Sequence, residues 1–294
     1  MRSYRSLLAL LFAGALFAAA GACSSDDDDG TSTSSSSSTT SSSSTSSSAG
    51  GGGSGGDNST GGGGSAPVGG GCTEPTEVAC SDNVLQDLNL QDDTDAGMIT
   101  STPEGMGFLS LIDAVAGGAM ATDPTSYTYG RFTDTGLEKV NISDEAALDS
   151  MEWDIAFRRS TVRINSGNSG PSCVTGAPIP NAVFDEVTAV PDPAPAARTD
   201  SYYSSGCVLQ GDASGQPTAP GTALSGFYVY NLDTHCVGMS DQVYLLQLAD
   251  SRYLKLEITA YYTTENQQLC DNGDPLPQGP TGSGNYQVRW AFLP

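Results

Sequence analysis

The sequence has little positive charge. Eleven Lys and Arg stand against 34 Asp and Glu, so the chain of 294 residues carries a formal net charge of -23. Because nucleic acids are bound through basic side chains, this balance excludes nucleic acid as a natural partner. It also disfavours adhesion to anionic lipid by charge.

Histidine is almost absent, which restricts catalysis and metal binding. His235 is the only histidine, so a Ser–His or Cys–His mechanism would have to use it as the base. GNSGP at 167–171 resembles the serine-protease GDSGGP, but the second glycine is missing and Ser169 precedes His235. No CxxC pair is present to suggest zinc. No spacing singles out a carboxylate pair for glycoside hydrolysis, although so acidic a chain leaves that class open. We predict a protein that is not an enzyme.

Long hydrophobic runs are absent except at the start of the chain. Arg2 and Arg5 precede an apolar run from Leu7 to Ala20, which is too short to span a bilayer comfortably and is typical of a secretory signal. Cys23 follows AGA, an arrangement that resembles a bacterial lipoprotein signal. Residues 1–22 are therefore predicted to be a signal peptide and Cys23 the lipidated first residue. Ser24 then favours the outer membrane, at either its periplasmic face or the cell surface.

Apolar residues are also nearly absent from 24–71, which consists almost entirely of Ser, Thr, Gly and Asp. Such a segment cannot offset the entropy of ordering, so 23–71 is predicted to be a lipidated cysteine followed by a disordered linker. Residues 72–126 are predicted to be an N-terminal part or extension of the domain, and residues 127–294 its β portion.

The cysteine count agrees with export. Of seven cysteines, six remain when Cys23 is set aside, and an even number in an exported chain indicates disulfides. Short loops favour three pairs as a hypothesis: Cys72–Cys80, Cys173–Cys207 and Cys236–Cys270.

Period-two alternation dominates the second half of the chain. RYLKLEITAYY, from Arg252, alternates apolar with polar residues, as do VYLLQLA from Val243 and NYQVRWAFL from Asn285. Shorter strands are predicted at YTYGRF, LEKVNI, AVFDEV and GFYVYNL, and helices only at SDEAALDSM (from Ser143) and FLSLIDAVAGG (from Phe108). The prediction is a mostly β, antiparallel, sandwich-like single domain after the linker.

The stretch WDIAFRRSTVRINSGNSG, from Trp153, contains three arginines of the few in the chain. Alternation places Trp153, Ile155 and Phe157 toward the core. Asp154 and the arginines Arg158, Arg159 and Arg163 are then predicted to be outward or turn residues of a hairpin with a bulge or tight turn near 158–160.

Together these motifs resemble the HmuY family of bacterial haem-binding lipoproteins. The resemblance rests on WDIAFRR, the run ending in NSGNSG, VYLLQLADSRYLKLEITAYY and the terminal YQVRWAF, and it covers roughly Tyr127 to Pro294. It implies an all-β fold with a ligand pocket of strands and loops, and haem as cofactor. The family's best-known member holds haem iron between two histidines.

This chain departs from that pattern, because a site with two histidines cannot be built from one. His235 with Met239 is the proposed ligand pair, since both are competent axial ligands. The alternative is that His235 caps a loop and Met239 fills a gap in the core.

The sequence thus predicts an exported, lipid-anchored HmuY-like binding protein that captures haem for iron uptake. Its expected partners are the membrane through Cys23, haem or another small ligand, and an outer-membrane receptor. The alternative is a relative that has the scaffold without haem binding and binds another small ligand or a surface protein or glycan.

Overall fold

A computed structural model of the protein describes residues 71–94, 97–115, 125–211, 219–279 and 281–294. The predicted signal peptide, Cys23 and the linker up to residue 70 lie outside these residues. Within the described ranges, the strands pair antiparallel throughout. The mostly β, antiparallel fold predicted from the alternation is confirmed.

The strands are, in chain order, β1 (Ile99–Glu104), β2 (Gly107–Asp113), β3 (Thr128–Thr133), β4 (Gly136–Val140), β5 (Ile155–Arg158), β6 (Thr161–Ile164), β7 (Thr175–Pro178), β8 (Tyr228–Asn231), β9 (Cys236–Met239), β10 (Val243–Gln247), β11 (Tyr253–Ala260) and β12 (Asn285–Leu293). The α-helices are α1 (Ser81–Asp87), α2 (Asp144–Ala147) and α3 (Thr264–Asp271), and a 3-10 turn spans Phe184–Glu186.

These strands form two main sheets and one separate hairpin. The larger sheet has six strands in the order β1-β2-β12-β11-β10-β7, and the smaller has four in the order β4-β3-β5-β6. Strands β8 and β9 pair only with each other. The two strands that precede Tyr127, β1 and β2, form one edge of the six-stranded sheet.

The main core lies between the two sheets, where their period-two faces meet. It takes Leu254 and Leu256 from β11 and Ile155 and Phe157 from β5, and these four side chains have no exposed surface. Trp290 of β12 reaches across to Phe132 of β3, with ring centroids 4.8 Å apart. Burial of this apolar surface stabilises the contact between the sheets.

Each sheet is also covered on its outer face. A second core, with Val84 and Leu88 near α1 and Tyr202 further along the chain, packs against the back of the four-stranded sheet. A third packs Phe184 on Val243 and Leu245 of the six-stranded sheet. Side chains that alternation assigns to solvent therefore lie inside the protein.

The arginines show this most clearly, and the prediction that they lie outward is wrong for two of them. Arg163 has no exposed surface. It donates to the Ser169 hydroxyl at 3.2 Å, to the Ser169 carbonyl at 2.7 Å and to the Tyr129 hydroxyl at 3.4 Å. Arg158, with 11% of its side chain exposed, pairs with the buried Asp144 at 3.2 Å. Arg159 has φ of 49° and lies in the tight turn between β5 and β6.

Asp154 and Trp153 also differ from their predicted positions. Asp154 is buried and accepts the backbone N–H of Phe132 at 2.8 Å. Trp153 precedes β5 and packs edge-on against Tyr129 in the second core, with centroids 4.9 Å apart. Ile155 faces the main core as predicted, because it pairs with Ile164 across the hairpin.

Two predicted elements are also wrong. FLSLIDAVAGG forms strand β2 up to Asp113, because it pairs with β1 and β12 on either side; Gly117 lies outside the described residues. AVFDEV is not a strand and contains the 3-10 turn, since Phe184 is directed onto the outer face of the six-stranded sheet. The prediction of a helix with Ser143 as N-cap is confirmed, because its hydroxyl accepts the N–H of Ala146 at 3.3 Å.

All six cysteines of the domain are paired, but only one predicted pair, Cys236–Cys270, is confirmed. The others are Cys72–Cys173 and Cys80–Cys207, with Cα atoms 6.0 and 5.5 Å apart. The short-loop rule fails here because the two ends of the segment that carries Cys72 and Cys80 are fastened to different partners, Cys173 and Cys207, and not to each other.

Arg163→Met should destabilise the fold strongly. The substitution keeps an apolar stem but leaves the neighbouring Asp200 without its buried positive charge, and such a loss costs about 3–5 kcal/mol. Chemical denaturation measures the difference. Arg131→Met, at an exposed position of β3, should change stability by less than about 0.5 kcal/mol. Equal effects of the two substitutions would contradict the buried role of Arg163.

Stability should rise as the pH falls from about 7.5 to 5. Burial raises the pKa of Asp154 to about 6 from its ordinary 3.8. The folded state therefore holds this proton more tightly than the unfolded state. The stabilisation is complete below pH 3.8, is lost as the pH rises through 6, and amounts to about 3 kcal/mol.

Asp154→Asn should remove this contribution while keeping an acceptor for Phe132. Denaturation at several pH values should show a flatter profile for Asp154→Asn than for the parent protein. Asp149→Asn, at an exposed position, should leave the profile unchanged. A parent profile as flat as that of Asp154→Asn would contradict the raised pKa.

Candidate functional site

The β8–β9 hairpin carries the only histidine of the chain at its turn. Asn231 ends β8, and its side-chain oxygen accepts the N–H groups of Asp233 at 2.9 Å and Thr234 at 3.1 Å. These bonds form an Asx-type turn, which Asn favours. His235 follows in the left-handed region, with φ of 57°, and leads into β9. The local sequence thus fixes His235 at an exposed hairpin tip.

Among the residues that the structure describes, the imidazole of His235 has one polar partner. Its Nδ1 lies 3.0 Å from the hydroxyl of Tyr230 on the adjacent strand. When Nδ1 carries the proton and donates to this oxygen, the lone pair on Nε2 is free to bind a metal. A second group that orients a histidine in this way is usual in metal sites.

Two apolar side chains of the same hairpin are exposed. Val229 is 63% exposed and Leu232 is 70% exposed. Thr234, next to His235, has a buried hydroxyl without a hydrogen-bond partner among the described residues. The hairpin therefore combines an exposed imidazole, apolar side chains and a hydroxyl without a described hydrogen-bond partner.

The base of the hairpin is firmly held, unlike its tip. The disulfide from Cys236 to Cys270 joins β9 to α3. Gln267 of α3 donates to the carbonyl of Val237 at 3.2 Å, and the Val237 N–H donates to the Tyr262 hydroxyl at 3.2 Å. Burial raises the pKa of Tyr262, so this phenol stays neutral and supports β9 structurally.

Met239 lies at the far end of β9 from His235. It is half-buried and packs against the main core, opposite Tyr228. Four residues of extended chain span roughly 13 Å. The structure therefore places the two predicted ligands on one hairpin, but at opposite ends of its second strand.

Ser169 is distant from His235 in the sequence, and none of its described hydrogen bonds involves His235. Its hydroxyl donates to Asp200 at 2.6 Å and lies 3.1 Å from the Tyr202 hydroxyl, inside the network around Arg163. Ser169 has no exposed surface. This serine is accounted for by structural hydrogen bonds.

Tyr230 was not singled out by the sequence analysis, although it is the residue that orients His235. The relevant signal is the spacing, because a tyrosine near the end of one hairpin strand can reach a histidine at the start of the next. No sequence pattern indicates that the hydroxyl of Thr234 is buried without a described hydrogen-bond partner, since burial in a turn depends on the packing of the whole hairpin.

Metal clusters and membrane-spanning helices are two further features that bear on function. In the ranges that the structure describes, no group of three or more His, Cys, Asp or Glu side chains lies close enough together to hold a metal ion. None of the helices in the same ranges has the length and apolar character needed to cross a membrane.

Three solved structures are similar to this chain at low sequence identity. A candidate HmuY-like heme-binding protein of Bacteroides vulgatus is 18% identical, covers 67% of this chain and 97% of its own, and has a TM-score of 0.41. The apo HmuY analogue of Tannerella forsythia is 16% identical, with 69% and 100% covered and a TM-score of 0.36. A candidate lipoprotein of Bacteroides fragilis is 13% identical, with 65% and 93% covered and a TM-score of 0.37.

The family is assigned by the sequence and not by these structural similarities. No curated protein matches the chain. The family model of the HmuY protein matches residues 123–271, which is half of the 294 residues and includes the whole hairpin around His235. This chain belongs to the HmuY family.

Proposed function

We propose that the protein is an exported, lipid-anchored haem-binding protein that captures haem for iron uptake, with His235 as the first iron ligand. Membership of the HmuY family supports haem as the ligand class. The observation that carries the proposal is the contact of His235 Nδ1 with Tyr230, because it fixes the ring and leaves Nε2 for iron.

The apolar face of the porphyrin would lie against Val229 and Leu232. Both lie on the same hairpin as His235 and are exposed, and their burial by a planar apolar ligand would favour binding. Arg158 and Arg163 cannot neutralise the propionates, because both are committed to the interior of the protein.

Met239 is the proposed second ligand. Its sulfur would reach the iron only if the end of β9 bends toward the tip, because roughly 13 Å of extended strand separates it from His235. Methionine is flexible and its thioether is a competent haem ligand. If the strand stays straight, His235 would be the one ligand that this hairpin supplies to the iron.

The alternative function follows from the distance between His235 and Met239. A relative that lacks a second histidine, and whose methionine lies far along the strand, would use the scaffold for a different small ligand or for a surface protein or glycan. In both functions the protein binds without catalysis. Support comes from the position of His235, whose one described polar contact is a tyrosine rather than a serine or cysteine nucleophile.

Haem titration of the full-length protein tests the proposal. Ferric and ferrous haem should each produce a saturable shift of the Soret band. His235→Ala should abolish this shift, and Tyr230→Phe should weaken binding by about 10-fold or more, as second-shell changes do. Tyr253→Phe, on β11 and away from the hairpin, should bind like the parent protein. A saturable shift that persists unchanged in His235→Ala would refute ligation by His235.

The role of Met239 has its own spectroscopic signature. If Met239 supplies the second ligand, Met239→Ala should convert ferrous haem from six-coordinate to five-coordinate without abolishing binding. An identical spectrum before and after the substitution would exclude Met239 and leave His235 as the ligand from this chain.

The lipid anchor is a separate proposal that rests on the sequence around Cys23. Metabolic labelling of bacterial cells with radioactive palmitate should label the protein, and Cys23→Ser should remove the label and release the protein from the membrane fraction. Cys23 is the target in a lipoprotein signal, so retention of the label in Cys23→Ser would contradict the anchor. The proposal of haem binding does not depend on whether Cys23 is lipidated.

A further inference from the structure

A cavity of about 310 Å³ lies on the outer face of the six-stranded sheet, and no residue of the β8–β9 hairpin lines it. Its floor consists of Thr175 and Ala177 of β7, Leu245 and Gln247 of β10, and Tyr253 of β11. Its wall is the segment 192–197, with the sequence DPAPAA. The volume is at the lower end of the range of small-molecule sites, which is roughly 300–1,000 Å³.

The wall is fastened to the sheet at one end. Arg198 and Gly176 exchange two backbone hydrogen bonds of 2.9 Å. From this point the segment 192–197 lies across the floor residues without a further described backbone bond to the sheet. A space enclosed by a sheet and a fastened segment is largely pre-formed, which lowers the entropic cost of binding a ligand.

The cavity selects against negative charge. Asp192 is the only residue of its lining that is charged at neutral pH, and no Lys or Arg lines it. Because the whole chain is also strongly acidic, an anion would be repelled. The dianionic haem is therefore a poor fit, which separates this cavity from the proposed haem site.

Gln247 supplies the polar feature of the floor. Its Nε2 is buried and has no hydrogen-bond partner among the described residues. A buried donor without a partner costs free energy, and such groups are rare in folded proteins. The terminal torsion of a glutamine is broad and two-fold. Rotation of the amide can therefore present either a donor or an acceptor to the cavity.

The other lining residues favour an apolar body. Leu245, Ala177, two prolines and three alanines surround the space, and the ring of Tyr253 forms one flat side. A planar apolar group would pack on these surfaces, while an amide on the same molecule would pair with both ends of the Gln247 amide.

We infer that this cavity is a second binding site, which takes a small uncharged ligand with a planar apolar body and a carboxamide, through Gln247. The site is independent of the haem proposal. The cavity should bind an amide more tightly than the corresponding carboxylate. Its lining offers the neutral amide of Gln247 and contains no Lys or Arg that would pair with a carboxylate.

Titration of the full-length protein with indole-3-acetamide, followed by saturation-transfer NMR, tests the inference. Binding should be saturable, and indole-3-acetate should bind at least fivefold more weakly. Gln247→Met keeps a similar side-chain volume and should weaken amide binding at least fivefold. Its unfolding temperature should be unchanged or higher, because an unpaired buried donor is removed.

Two further variants complete the design. Gln287→Met changes a glutamine of β12 outside the cavity and should bind like the parent protein. Ala196→Leu changes an exposed wall residue and should block the cavity without disturbing the core, so it tests the site even if Gln247→Met fails to fold. Saturating haem should leave amide binding unchanged. The inference is overturned by non-saturable amide binding, by equal binding of the carboxylate, by full binding in Ala196→Leu, or by competition from haem.

Discussion

The carboxylate of Asp200 holds together parts of the chain that are distant in sequence. It accepts the N–H groups of Ile164 and Ala223, each at 2.8 Å, and the hydroxyl of Ser169 at 2.6 Å. Arg163 supplies the compensating positive charge nearby. A buried carboxylate is costly unless its acceptors are fully used, so β6, the loop after it and the segment near Ala223 must all be in place together.

Strands β11 and β12 of the six-stranded sheet could be predicted because their core faces alternate strictly. Leu254, Leu256 and Ile258 mark β11, and Val288 and Trp290 mark β12. In both strands the period-two signal is carried by large apolar residues on the side that meets the second sheet. The family could be recognised for the same reason, since its motifs are largely these strands and the hairpin that packs on them.

The errors arose where burial on the second face of a sheet overrides the alternation. Lys255 lies on the polar side of the alternating run RYLKLEITAYY, yet it is buried and donates to the carbonyl of Phe184 at 2.6 Å. Arg163 is buried for the equivalent reason on the other sheet. A single sequence does not reveal which outer face a later segment will cover. The exposed position of His235, by contrast, agrees with the polar turn around it, whereas the distance to Met239 depends on the strand being extended.

The first described residues have a mechanical consequence. Gly71 and Cys72 donate to Ser251 and Ala249 in the turn between β10 and β11, and Cys72 is bonded to Cys173. Tension arriving from the N-terminal side therefore enters the domain at a covalent cross-link. The load bypasses the residues between Cys72 and α1, so pulling does not peel this segment from the sheet. The hydrogen bonds around Asp200 would bear force only after it had passed through Cys173.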